Sequence, residues 1–218
     1  MIPGLSAITV DSLPFAILCL AMVLLAWTGE RRWFLPGLAV ASAVMLASWL
    51  TPLDLAALVL FLAPPYLAVR AMWGNRRFAA SIAAALVIAW EVALFIYLRK
   101  YEWAAGRSVL NHPVSVIGIS YMLFRAVHLI AEAPYLGHLP FNGLRFATYV
   151  LAFWTLLSGP IQRYEDFCGG LDTIGRPATA DALAAGHRAV NGLIKAFLIA
   201  PILLKASDLA ALGQPGAG

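Results

Sequence analysis

The fold class this sequence predicts is an all-α, polytopic transmembrane helical bundle, and three observations predict it. Hydrophobic residues fill 62% of the 218 positions and charged residues only 12%, against about 45–50% and about 25% in ordinary soluble domains. The mean hydropathy is +0.83. Apolar runs of near-spanning length recur along the chain with short polar turns between them. A soluble fold of this size could not hide so much apolar surface, so the outer face must meet lipid.

A spanning helix needs roughly 20 mostly apolar residues. Six to seven segments answer that description, at residues 13–28, 34–50, 54–73, 78–98, 114–132, 145–161 and 188–206. The first, LPFAILCLAMVLLAWT, is closed by Gly29, Glu30, Arg31 and Arg32, and the third follows the short turn TPLD. Segments one and two are short, which suits tilt or partial insertion. The sixth ends in Ser158-Gly159-Pro160, the one broken or re-entrant helix expected. Basic loops favour the cytoplasm. Arg31 and Arg32 after the first segment, and Arg70, Arg76 and Arg77 after the third, therefore place the N-terminus outside. The bias fades later, where Arg99, Lys100 and Arg107 fall on the outer side.

No repeat and no low-complexity tract interrupts residues 1–218, which read as a single membrane domain. The long polar connection is 162–187, with room for an interfacial helix around Thr179 to Ala189. The opening MIPGLSAITVD has no basic region or small-residue cleavage site, so the first apolar run is expected to stay as an anchor. Cys19 and Cys168 form neither a disulfide framework nor a metal-ligand spacing. A net charge of +4, scattered over short loops, argues against a nucleic-acid partner.

Ionisable side chains within spanning segments are costly and usually face a bundle interior or a wet cavity. Glu91 lies midway along the fourth segment. Arg125, His128 and Glu132 lie on the fifth, at offsets that share one helix face at about 100° per residue. Asn191 and Lys195 share a face of the seventh. Two readings fit. In one, Arg125 pairs with Glu91 or Glu132 and clamps the helices. In the other, the face lines a polar path for a substrate.

The stretch LLSGPIQRYEDF, 156–167, is more specific. Proline removes a backbone donor and glycine loosens the chain at the same point. Bare backbone survives in hydrocarbon only where protein or cavity water satisfies it. The run then turns polar, and Arg163 offers donors suited to a carboxylate or phosphate. An ordinary helix end at the membrane surface would look the same.

Three blocks resemble the membrane-bound O-acyltransferase family, and its bacterial branch of alginate O-acetyltransferases and D-alanine transfer proteins in particular. The first is Gly118, Ile119, Ser120, Tyr121 and Phe124. The second is Gly159, Pro160, Ile161, Arg163 and Phe167. The third is NGLIKAFLIAPILLKASDLA at 191–210, which keeps only Lys195 at the family's paired basic positions. Many relatives carry an aromatic and an Asp where this chain has His128 and Glu132.

The resemblance implies transfer of an acyl group, acetyl foremost, from a thioester donor (acyl-CoA or an acyl carrier) to a hydroxyl of a polysaccharide or other envelope acceptor. Donor and acceptor would meet in a tunnel through the bilayer. Gly159 and Pro160 would shape its wall, and Arg163 and Tyr164 would present polar groups to it. The family's catalytic histidine lies on later helices. None of His112, His128, His138 and His187 occupies its place, so no catalytic residue is assigned here, and the chain resembles the N-terminal half of such an enzyme. No metal and no covalently bound cofactor is implied. The expected setting is the lipid bilayer of a bacterial inner membrane, beside periplasmic or envelope acyltransferase partner proteins. The competing functions are a non-catalytic membrane scaffold and a small transporter, since broken helices and buried charges also mark transporters.

Overall fold

A computed structural model describes residues 12–78, 82–99, 118–156 and 161–205. The break expected at Gly159-Pro160 lies outside the described residues. Every regular element among those described is helical, and the chain divides into two compact units, Met1–Gly175 and Arg176–Gly218.

In the first unit, Ser12 caps α1 (Leu13–Trp27) by accepting from the Phe15 amide at 3.3 Å. Helix α2 spans Arg31–Trp49. Helix α3 (Pro52–Met72) begins with a capping box, in which the Thr51 hydroxyl accepts from the Asp54 amide and the Asp54 carboxylate accepts from the Thr51 amide. That exchange satisfies donors a helix start leaves open, and Pro52 costs nothing in the first turn, where its missing N–H would be unpaired anyway. Helix α4 is Ile82–Arg99 and α5 is Ile119–Glu132. Then come α6 (Gly143–Leu151), α7 (Phe153–Leu156) and α8 (Tyr164–Asp172). Helix α2 packs on α1 and α6, and α3 packs on α4 and α5.

The core between these helices holds Leu38, Met45, Phe61, Met122, Leu129 and Phe153. Outward positions are just as apolar, for example Val40, Leu60, Leu67 and Leu86. Apolar side chains on both faces are what a helix with lipid on one side requires. Among the described residues, three helical stretches are long and apolar enough to cross a membrane: Arg32–Trp49, Pro52–Met72 and Thr179–Lys205. Leu13–Trp27 and Ile82–Leu98 are shorter apolar helices. The chain is an integral membrane protein built as a helical bundle.

The expected fifth segment is helical from Ile119 onward. The expected seventh is longer than its apolar core, because α9 (Thr179–Ile194) begins within the polar connection and runs through a π-helical turn, Lys195–Ile199, to Lys205. Helix α8 also falls within that connection. Its inward positions, Tyr164, Phe167 and Cys168, follow the three-and-four spacing of an amphipathic helix.

The sixth segment breaks earlier than Gly159. Helix α6 stops at Leu151, Ala152 leaves helical geometry with φ −52° and ψ 114°, and α7 restarts at Phe153. An unbroken helix would bond the Phe153 amide to the Tyr149 carbonyl. Instead, the Phe153 N–H donates to Ser42 Oγ at 3.2 Å. The Tyr149 carbonyl accepts from Arg125 Nη1 at 2.9 Å. Both severed groups are thus satisfied by side chains from α2 and α5.

Gly118 supplies another tight junction. It precedes α5 with φ 94°, and a Cβ there would collide with the Leu156 carbonyl oxygen at the end of α7.

Two expectations follow. Ser42→Ala leaves the buried Phe153 amide without its acceptor and lowers unfolding stability by about 1–3 kcal/mol, read as a lower midpoint in detergent-solubilised thermal unfolding. Gly118→Ala adds both backbone strain and a clash, so it reduces the yield of folded protein more than Gly143→Ala, where a Cβ meets only the Tyr66 ring at ordinary contact distance.

Candidate functional site

The polar residues singled out by the sequence converge at the C-terminal end of α5 and the start of α8. Glu132, in the last turn of α5, accepts a hydrogen bond from Arg163 Nη2. Its other oxygen lies 3.3 Å from Nδ1 of His128, one turn earlier. Glu132 is 17% exposed, His128 37% and Arg163 60% at their side chains. The cluster is therefore graded, with a shielded carboxylate beneath an open guanidinium. The Glu132 hydrogen bond and charge raise the Arg163 pKa further above its ordinary value. Arg163 is itself the N-cap residue of α8. Glu165 and Asp166, in the first turn, complement the positive end of that helix.

Arg125 shares their helix face but not their surroundings. It is 2% exposed, bonded to the Tyr149 carbonyl, with its guanidinium carbon 5.8 Å from the Tyr149 ring centroid. The structure thus brings Arg163, Glu132 and His128 together and sends Arg125 into the helix break. Glu132 pairs with Arg163 rather than with Arg125.

Tyr164 is fully buried, and its hydroxyl donates to the Pro140 carbonyl at 2.8 Å. Tyr149 donates to the Gln162 carbonyl at 2.8 Å. Burial raises the pKa of Tyr164, and it raises that of the Cys168 thiol beneath it. Both cysteines of the chain are free. The ring of Tyr164 sits edge-on to Trp73 at 5.5 Å and to Tyr149 at 5.3 Å, while Trp73 stacks on Phe141 at 4.5 Å. Trp73 also donates its indole N–H to the Leu139 carbonyl at 3.2 Å. These aromatic contacts fasten α8 to the ends of α3 and α6, which holds Arg163 beside Glu132.

Gly74, at φ 67°, and Gly137 bring the same end of the bundle together. A Cβ on Gly74 would lie 2.8 Å from the Gly137 Cα. The Gly74 amide donates to the Ala133 carbonyl at 2.9 Å.

An apolar groove of about 910 Å³ runs between α2, α3 and α6, lined among others by Ala43, Leu46, Leu58, Tyr66 and Phe146. Ser42 and Thr148 are on its wall, whereas Arg125, His128, Glu132 and Arg163 are not. The groove suits hydrocarbon, and the polar cluster suits an anionic or carbonyl group at the rim. Lys195 begins the π-helical turn in the second unit and is exposed. Gly159 and Pro160 lie outside the described residues.

Ser42, Trp73 and Tyr149 carry much of this geometry and were not candidates from sequence. Ser42 left one weak signal, a hydroxyl in an apolar run that also carries Ser48. Tyr149 left none, because one more aromatic in an apolar run does not show that its carbonyl and its hydroxyl both find distant partners.

Tyr164→Phe keeps the ring but leaves the Pro140 carbonyl unpaired. It is expected to cost about 1–2 kcal/mol, with a larger loss for Tyr164→Ala in the same unfolding measurement.

No family model matches the chain, and no solved structure matches it. Curated relatives do. A probable alginate O-acetylase, AlgI, of Pseudomonas putida is 32% identical over 103 residues, covering 46% of this chain and 21% of the relative. The corresponding protein of Pseudomonas aeruginosa is 33% identical over 103 residues, 46% of this chain and 19% of the relative. That of Azotobacter vinelandii is 33% identical over 114 residues, 50% of this chain and 22% of the relative. The chain is therefore similar over about half its length to O-acetylases, and the matched stretch spans about a fifth of each of those relatives.

Proposed function

We propose that this chain forms part of a membrane-bound O-acyltransferase of the inner membrane. The enzyme would move an acyl group, acetyl foremost, from a thioester donor to a hydroxyl of a polysaccharide or other envelope acceptor. The observation that carries the reading is the 103-residue similarity to alginate O-acetylases. The fold supports it by anchoring a polar, partly exposed Arg163–Glu132–His128 cluster to a helical membrane bundle.

In this reading a base takes the proton of the acceptor hydroxyl as its oxygen attacks the thioester carbonyl. The C–S bond then breaks, and the departing thiolate takes up a proton. The base is a histidine supplied by another segment of the enzyme, since the family resemblance gives that role to none of this chain's four histidines. The chain's own contribution is position. Arg163 offers donors at the rim for a carbonyl or anionic group, Glu132 orients Arg163, and the aromatic contacts of Tyr164 keep both in place. Arg125 and Ser42 hold the broken helix beneath them.

Arg163→Ala in the intact enzyme tests this. Transfer of labelled acetyl groups to the acceptor is expected to fall about tenfold or more, the scale for losing a positioned charged donor, while the amount of enzyme in the membrane stays unchanged. Parallel loss of activity and yield assigns Arg163 to the framework alone. Unchanged transfer removes it from the site. The second reading, a non-catalytic scaffold, is favoured by the engagement of Arg163 and Tyr164 with other parts of the chain. It predicts no acyl transfer from the intact protein under any donor.

A further inference from the structure

Glu91 occupies the middle of α4, on the face formed by Ala84, Val87, Ile88, Leu94, Phe95 and Leu98. Ala84 and Leu98 on that face are buried and the others half-buried against the core, where α4 packs on α3 and α5. Glu91 is 0% exposed, and among the described residues neither of its carboxylate oxygens has a hydrogen-bond partner. The other ionisable groups of the packed helices are directed elsewhere. On α3, Asp54 closes the capping box with Thr51, and Arg70 donates to the Tyr66 hydroxyl at 3.4 Å. On α5, Arg125 donates to the Tyr149 carbonyl, and His128 and Glu132 cluster with Arg163. Neither Glu91 oxygen accepts from Tyr121 on α5 or Tyr97 on α4 itself.

An ionised carboxylate without partners in such a place carries a desolvation cost so large that the group neutralises instead. A metal cation would need several oxygen ligands, and the face around Glu91 is otherwise hydrocarbon.

We infer that Glu91 is a proton-binding site inside the membrane bundle, a carboxyl that holds its proton at neutral pH. The site is independent of the acyl-transfer reading, and it has a chemical signature of its own. A neutral acid in an apolar setting reacts with an apolar carbodiimide. The carboxyl proton passes to a carbodiimide nitrogen while the carboxyl oxygen adds to the central carbon. The O-acylisourea so formed rearranges by migration of the acyl group to nitrogen, giving a stable N-acylurea that retains every atom of both reactants. An ionised carboxylate lacks that proton, and a water-soluble carbodiimide does not reach the site.

The test is labelling of the full wild-type chain in lipid nanodiscs at neutral pH with dicyclohexylcarbodiimide, read by peptide mass spectrometry. The expected result is an N-acylurea on Glu91 that fades as the pH is made alkaline. The same peptide should stay unmodified by a water-soluble carbodiimide that labels Glu30 and Glu165. Absence of the Glu91 adduct at neutral pH, or equal labelling by both reagents, overturns the inference.

A stability measurement gives a second reading. A neutral carboxyl and a primary amide have nearly the same size and neither carries a charge into the apolar face. Glu91→Gln, which imitates the neutral acid, is expected to melt within a few degrees of wild type at neutral pH and well above Glu91→Ala. A Gln variant that melts as low as Glu91→Ala shows an ionised, paired carboxylate and overturns the inference as well.

Discussion

A helix interrupted inside a bundle leaves backbone donors and acceptors that cannot remain bare in hydrocarbon, and much of this structure is arranged around that requirement. At Ala152 the donor is the Phe153 amide and the acceptor is the Tyr149 carbonyl. Ser42 satisfies the first and Arg125 the second, so the break ties α2, α5 and α6 to one point. The same contacts explain a buried arginine. Its guanidinium needs oxygen acceptors, which an intact helix does not expose and a broken one does.

Below the break, the chain is held by aromatic rings and by two tyrosine hydroxyls. Tyr149 reaches the Gln162 carbonyl and Tyr164 reaches the Pro140 carbonyl, each at 2.8 Å. Each phenol buries an apolar ring and finds a partner for its polar end, the usual condition for a buried tyrosine. These anchors put the first turn of α8 against the last turn of α5. The proposed rim cluster depends on them, because Arg163 is exposed and its pairing with Glu132 would be weak if its backbone were free to move.

Two deeply buried ionisable groups in one bundle meet opposite solutions. Arg125 keeps its charge and is surrounded by a carbonyl and the face of Tyr149. Glu91 has apolar neighbours and, among the described residues, no hydrogen-bond partner, and is assigned a proton instead. The difference follows from chemistry. An arginine cannot be deprotonated within a protein and must be accommodated, whereas a carboxylic acid can become neutral.

Composition and the length of the apolar runs were enough to determine a helical membrane bundle, because lipid leaves a chain no other way to satisfy its backbone within one segment. The three blocks at 118–124, 159–167 and 191–210 carry a resemblance to O-acyltransferases, and about half of the chain is similar to alginate O-acetylases. The shared face of Arg125, His128 and Glu132 was legible from helical spacing, but what each one touches was not. Spacing fixes direction around one helix, and partners belong to other helices. Arg125 therefore went to a carbonyl on α6, and Glu132 to a guanidinium on α8. The interruption at Ala152 was invisible in LAFWTL, which contains neither glycine nor proline. Only the tertiary structure decided it, since the break exists where Ser42 and Arg125 replace one hydrogen bond with two.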